Sequence, residues 1–335
     1  MPTVDWMTRY FEGGMQFGFS IHNRRSMQAA EAAGVELKDG ADMAVYVGPA
    51  HAFDPDESRH SILFTAWEGR VFPREYAEKI RKYKAVIVTA GFLVDAVRAV
   101  DPNKSVYVCP LGVDVEKFTY IKRRRPRAGE KFVYLWNGAA QTRKGWPSVV
   151  HAWAETFRHD SSARLYIKTT GTEKYERVGN VIFDSRRLPL DDLVRLYHSA
   201  HAYIFPSAAE GFGLTLAEAM ATGLPCAYIP FLGVKEFIDP SCGFPIDYHL
   251  EMFGILDAVA EHPIGCDIEF GIADTESTFR AMLEMRQSYP AALRKGKAAA
   301  AAIRGRFTWG HVGRRLREIF EMEEKRWRQA RIFAA

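Results

Sequence analysis

Residues 206–225 place two carboxylates, Glu210 and Glu218, around the turn Gly211-Phe212-Gly213. An apolar strand candidate, Ala202-Tyr203-Ile204-Phe205, precedes the run, which enters a helix near Leu214 and stops at Gly223 and Pro225. The N–H groups of Gly213, Leu214 and Thr215 would then point out of a helix start together with its dipole, which suits an anion such as a diphosphate. Glu210 stands in the loop and Glu218 one turn beyond Leu214, so the two reach different parts of one elongated ligand. A plain strand-to-helix connection needs the glycines but gives no reason for both carboxylates.

A second segment, residues 137–146, follows the strand candidate Phe132-Val133-Tyr134-Leu135-Trp136 and holds Arg143-Lys144-Gly145 in a glycine loop. A third, with Gly13, Gly14 and Gly18, opens the chain's first loop. Asp54-Pro55-Asp56 has metal-binding spacing, but no apolar strand delivers it, and it reads as a loop. Metalloprotease, P-loop and esterase signatures do not occur. His51 and His60 flank a first-half loop, and Glu68 follows the strand candidate ending at Thr65; His51 and Glu68 are candidates for contact with a second substrate.

Short β-rich runs alternating with helix-length segments position these loops, the pattern of parallel strands covered on both faces. The first series holds Met43-Ala44-Val45-Tyr46-Val47, Ile62-Leu63-Phe64-Thr65, Ala85-Val86-Ile87-Val88 and Val106-Tyr107-Val108, and ends at Pro110-Leu111-Gly112-Val113-Asp114. The second opens at Phe132. Three parts are expected: residues 1–122, residues 123–310, and a C-terminal amphipathic helix over 311–335 packing back on the first part. Two open α/β sheets in tandem place their strand ends beside a shared cleft.

The 335 residues are 47% apolar and 26% charged, enough for two ordinary domains. The apolar stretch 85–94 is half the length of a membrane span, and no export signal is visible. Four cysteines without a C-x-x-C pair fit buried thiols in a reducing cytoplasm. The net charge of +4 is uneven: residues 294–335 carry twelve Lys/Arg against four Glu, and a second basic cluster covers residues 122–127. Such patches attract phosphate-rich partners, although solvated faces explain most of them.

The two glutamates with seven residues between them around Gly-Phe-Gly, followed by Ala219-Met220-Ala221-Thr222-Gly223-Leu224-Pro225, resemble the E-x7-E motif of retaining, nucleotide-sugar-dependent glycosyltransferases of the group 1, or family 4-like, kind. The Arg143-Lys144-Gly145 loop resembles the phosphate clamp of the same family, with Ala139 where many relatives carry arginine. The resemblance implies an α/β fold of GT-B type, two Rossmann-like parallel-sheet domains facing across a cleft. It implies a catalytic group of Glu210, Lys144 and Arg143, and donor contacts from Gly13, Gly14, Gly211, Phe212, Gly213, Leu214, Thr215 and Glu218, with the base near residues 183–188. A hexose would pass from a nucleoside diphosphate sugar, UDP-linked, to a hydroxyl of a glycan or glycolipid, with retention and with no obligatory metal or cofactor. The chain is also similar in length and layout to short phage glycosyltransferases that modify hydroxymethylated bases in DNA, with the basic patches as contacts. From another class, a sugar-nucleotide epimerase or a non-catalytic nucleotide-sugar binder fits the same layout.

Overall fold

The computed structural model describes residues 1–7, 18–253 and 268–334. The chain forms two compact units; Met1–Gly112 and Phe307–Ala335 belong to the first, and most of the chain between them to the second.

The first unit carries a parallel sheet of β1 (Thr3–Met7), β2 (Glu36–Leu37), β3 (Met43–Val47), β4 (His60–Thr65), β5 (Ala85–Val88) and β6 (Ser105–Val108), ordered β2-β1-β3-β4-β5-β6. Strands β3, β4 and β5 are buried along their whole length, which is why their sequences read as continuous apolar runs rather than alternating ones. Helices α1 (Gly18–Ala32), α2 (Arg74–Lys82) and α3 (Phe92–Val100) connect them.

The second unit carries β7 (Phe132–Asn137), β8 (Ala163–Lys168), β9 (Tyr175–Val178), β10 (Val181–Asp184), β11 (Ala202–Phe205), β12 (Cys226–Tyr228) and β13 (Phe244–Pro245), ordered β13-β12-β11-β7-β8-β10-β9. Only β9 among these described strands runs antiparallel to its neighbour. A separate ribbon joins β14 (Tyr248–Phe253) to β15 (Ile268–Ala273). The helices are α4 (Trp146–Thr156), α5 (Leu190–Ser199), α6 (Leu214–Ala221), α7 (Thr275–Gln287) and α8 (Tyr289–Arg306). Pro147 sits in the first turn of α4, where its missing N–H costs nothing.

The C-terminal helix α9 (Trp309–Ala334) lies in the first unit against α1. His60 at the start of β4 meets its Glu323 at 2.8 Å, and Tyr107 of β6 bonds the other carboxylate oxygen.

The sequence places the boundary after Lys122, whereas the compact units divide after Gly112. Residues 113–122 are tied to the second unit: Arg304 donates to the Val115 and Phe118 carbonyls at 3.1 Å, and the Ile121 N–H to the Thr222 carbonyl at 3.3 Å. Arg123 continues the tie. Its guanidinium donates to the carbonyls of Tyr197 at 3.0 Å, His198 at 3.0 Å and Ala200 at 2.7 Å around the end of α5, and to the Thr222 hydroxyl after α6 at 3.0 Å. Unpaired carbonyls at helix C-termini attract a cation, so this stretch packs on the second unit. Burial pushes the guanidinium down to about 10, still charged at neutral pH.

Candidate active site

The second sheet winds outward from β7 through β8 and β10 on one side, and through β11, β12 and β13 on the other. Ligands of open parallel sheets bind beyond the strands' carboxyl ends at such a reversal. Strands β7 and β11 pair directly, Tyr134 opposite Ala202 and Leu135 opposite Tyr203, and the loops that leave them are the two glycine-bearing segments, residues 137–146 and 206–213, that the sequence singles out.

The loops are locked together. Lys144, closing the single turn Thr142–Lys144, places Nζ 2.6 Å from Glu210 Oε1, and Ser207 Oγ donates to the same oxygen at 2.6 Å. Arg143 donates from Nη1 to the Ala209 carbonyl at 3.0 Å, and its own carbonyl accepts the Ala208 N–H at 2.8 Å. Trp136 Nε1 holds the Lys144 carbonyl at 3.1 Å. Gly145 has φ +75°, and a Cβ there would stand 2.0 Å from the Pro206 carbonyl oxygen; a larger residue is excluded both by backbone geometry and by contact.

Glu210 is 9% exposed. Burial pushes its carboxyl up, but the charges of Lys144 and Arg143 and hydrogen bonds from Lys144 and Ser207 outweigh it and hold the group below the usual glutamate value. It is therefore an anion at neutral pH, ready to accept hydroxyl hydrogen bonds.

Gly213, at φ +100°, opens α6 with no side-chain cap, which leaves the start of the helix for an external acceptor. Leu214 and Thr215 are half-buried there. The Phe212 ring is buried 4.9 Å from the Phe237 ring, so at Phe212 only the main chain is left to face a ligand.

Glu218 lies on α6, half-buried. Burial pushes its carboxyl up to about 8, opposed by the Tyr197 hydroxyl at 3.4 Å from Oε2. The folded chain thus keeps a proton that the unfolded chain releases near 4.5, and the group costs stability increasingly as pH rises from about 4.5 to 8. Glu218→Gln is expected to gain on the wild type by about 1–3 kcal/mol between pH 5 and pH 8, at about 1.4 kcal/mol per pKa unit. Denaturant unfolding at the two pH values checks this; an equal difference at both would refute the protonated state.

Sequence reasoning missed three residues. Ser207 orients Glu210, and Asn137, the last residue of β7, donates through Nδ2 to the Tyr197 hydroxyl at 2.9 Å. Asn137 was detectable as a polar residue ending an apolar strand. Tyr197 carried no signal beyond its place on an apolar helix face.

The turn after β10 expected to face the base is pinned from below by Lys168, whose Nζ donates to the carbonyls of Thr169, Asp184 at 3.3 Å and Arg186 at 2.6 Å. In the first unit, His51 follows β3 and Glu68 follows β4, both half-buried at neighbouring carboxyl ends. The His51 ring lies 4.7 Å from that of Tyr76. Gly13 and Gly14 fall outside the described residues, and Gly18 begins α1. Asp54 pairs with Lys79, and Asp56 accepts the Ser58 N–H at 3.0 Å; among the described residues no cluster of three metal-ligating side chains occurs. Cys109, Cys226 and Cys242 are buried free thiols. Among the described residues no helix is long and apolar enough to cross a membrane.

Many basic residues that invited a nucleic-acid partner have internal partners. Arg124 pairs with Glu130 at 2.7 Å, and Arg125 reaches the Gln287 carbonyl at 3.2 Å. On α9, Arg315, Arg317, Arg326 and Arg328 pair with Glu318, Glu321, Glu323 and Glu324.

Residues 131–249 match the family described as Glycosyl transferases group 1. The chain is 31% identical over 172 residues to D-inositol 3-phosphate glycosyltransferase of Frankia alni, covering 44% of this chain and 41% of that one. It spans 21% to 41% of the length of the curated relatives it matches. Among solved structures, sucrose-phosphate synthase from Thermosynechococcus elongatus superposes with a TM-score of 0.65 at 16% identity, over 90% of this chain and 78% of that one. Anabaena HepE in complex with UDP and glucose superposes with a TM-score of 0.60 at 12% identity, over 92% of this chain and 84% of that one. The fold is the mixed α/β, parallel-sheet GT-B architecture of these neighbours.

Proposed function

We propose, from the match of residues 131–249 to the group 1 glycosyl transferases, that the protein is a retaining glycosyltransferase. It moves a hexose from a nucleoside diphosphate sugar, UDP-linked, to a hydroxyl of a glycan or glycolipid. The observation that carries this reading is the 2.6 Å approach of Lys144 Nζ to Glu210 Oε1 beside the uncapped start of α6, at the reversal of the sheet.

In this reading the diphosphate lies against Lys144, Arg143 and the amides of Gly213, Leu214 and Thr215. Glu210 accepts hydrogen bonds from the sugar hydroxyls, Glu218 from the ribose hydroxyls, and Gly211 and Gly213 allow the backbone to approach. The C1–O bond to the diphosphate breaks with its electron pair going to the departing oxygen. The acceptor oxygen bonds C1 on the same face, and its proton passes to that departing diphosphate. Negative charge grows on the leaving group, and preorganised cations and amides are worth most where charge develops. Glu210 acts as a binding carboxylate, not as a covalent nucleophile.

Screening uridine, guanosine and adenosine diphosphate sugars against a lipid, an oligosaccharide and hydroxymethylated DNA, following nucleotide release, tests the reading. Release is expected with a UDP-sugar and a glycan or glycolipid, and the product's anomeric configuration should match the donor's; an inverted centre would contradict it. Because cationic side chains already face the leaving group, turnover is expected to survive chelation by EDTA within about twofold, and its abolition with recovery on adding a divalent ion would transfer that role to a metal. Sugar nucleotide converted without acceptor would favour the epimerase class.

A further inference from the structure

A chain of hydrogen bonds centred on a buried phenol joins the end of β7 to the ribose-side carboxylate. Asn137 Nδ2 donates to the Tyr197 hydroxyl at 2.9 Å, and that hydroxyl faces two acceptors, the Thr215 carbonyl at 3.2 Å and Glu218 Oε2 at 3.4 Å. Tyr203 closes the arrangement by donating to the Asn137 carbonyl at 2.9 Å. Tyr197 and Tyr203 are fully buried. Burial pushes the Tyr197 hydroxyl well above its ordinary value, so it remains a donor at every working pH. With Asn137 occupying its acceptor side, its single proton is directed among the Thr215 carbonyl, Glu218 Oε2 and the neighbouring Tyr203 hydroxyl.

We propose that Tyr197 is a positioning residue for the donor: its hydroxyl turns to Glu218 when that carboxylate takes the ribose hydroxyls, and Asn137 sets the direction of the turn. This rests on the donor reading of the site. The hydroxyl belongs to α5, the carboxylate to α6 and the orienting amide to β7, so ribose recognition is tied to the strand that leads to Lys144. Other ionisable groups nearby do not replace it. Tyr203 of β11 donates to the Asn137 carbonyl, Arg123 donates to carbonyls around the end of α5 and to the Thr222 hydroxyl after α6, and Lys295 of α8 donates to the carbonyls of Pro240 and Gly243. A hydrogen bond from Tyr197 favours the charged form of Glu218, against burial.

The test is titration calorimetry of the full chain with uridine, guanosine and adenosine diphosphates from pH 6 to 9, for wild type, Tyr197→Phe and Asn137→Ser. Wild-type affinity is expected to rise with pH as Glu218 ionises. Tyr197→Phe should weaken binding by about five- to twenty-fold, the range for a hydrogen bond to a charged group, and should displace the rise to higher pH. Turnover at saturating donor should stay within about twofold. Asn137→Ser keeps the phenol and is expected to shift the profile in the same direction by less; it carries the test alone if Tyr197→Phe does not fold. Loss by one constant factor across the pH range, or no loss, overturns the inference and leaves the donor site standing. A wild type that binds none of the three overturns the donor reading and this inference with it.

Discussion

Lys144→Ala is expected to lower kcat by about 10²–10³-fold, the usual cost of removing one preorganised group that stabilises developing negative charge. The lysine reaches from the β7 loop to Glu210 in the β11 loop, with side chains 17% and 11% exposed, so its charge acts where water is scarce. The substitution also leaves a buried carboxylate without its cation. Glu210 would then rise toward the value that burial alone imposes, and the fold would lose some stability. Lys144→Met, matched in length but uncharged, should lose turnover to the same extent, whereas Lys144→Arg should keep the pairing and part of the rate. Steady-state assay of nucleotide release at saturating donor decides it: wild-type turnover in Lys144→Ala with unchanged donor affinity would remove the residue from the mechanism.

Gly145→Ala is expected to be the most damaging single methyl group in the second unit. The added carbon would stand 2.0 Å from the Pro206 carbonyl oxygen, at a backbone φ of +75° that side chains resist. Relief requires the two loops to part, and parting them breaks the Lys144–Glu210 contact and the Ala208-to-Arg143 backbone bond. A loss of about 2–4 kcal/mol fits the large-effect class of strain plus overpacking, with turnover falling at least as far as in Lys144→Ala. Thermal unfolding and the same release assay measure both; a variant with native melting and native turnover would show that the two loops do not depend on each other.

Much of the site was readable because its chemistry is local. The turn Gly211-Phe212-Gly213, the helix from Leu214 and the stop at Gly223 are decided within one segment, and α6 runs Leu214–Ala221 as its residues indicate. The strands β3, β5, β7 and β11 were legible as apolar runs because both faces are covered. Strand β9 was not, since all four of its residues are exposed and its charges resemble a loop. Strand β1 was not, since Thr3 and Asp5 break its five residues into an alternation too short to stand out as an apolar run. Short β12 and β13 and the β14–β15 ribbon lack the length that makes a period visible. The pairing of Lys144 with Glu210 across 66 positions, and the Asn137–Tyr197–Glu218 chain, depend on which strands lie side by side, which no single segment encodes. The family resemblance put Lys144 and Glu210 in one catalytic group without pairing them, and was silent on the second.

Arg123 bears on how the molecule meets a charged surface. A formal charge of +4 counts every lysine and arginine equally, yet this guanidinium is bound to main-chain oxygens inside the protein and its neighbour Arg124 is matched by Glu130. Retention on a cation-exchange column is therefore governed by cations that project freely, such as Lys122, and the basic run from 122 to 127 works as a brace between two helix ends more than as a magnet for polyanions.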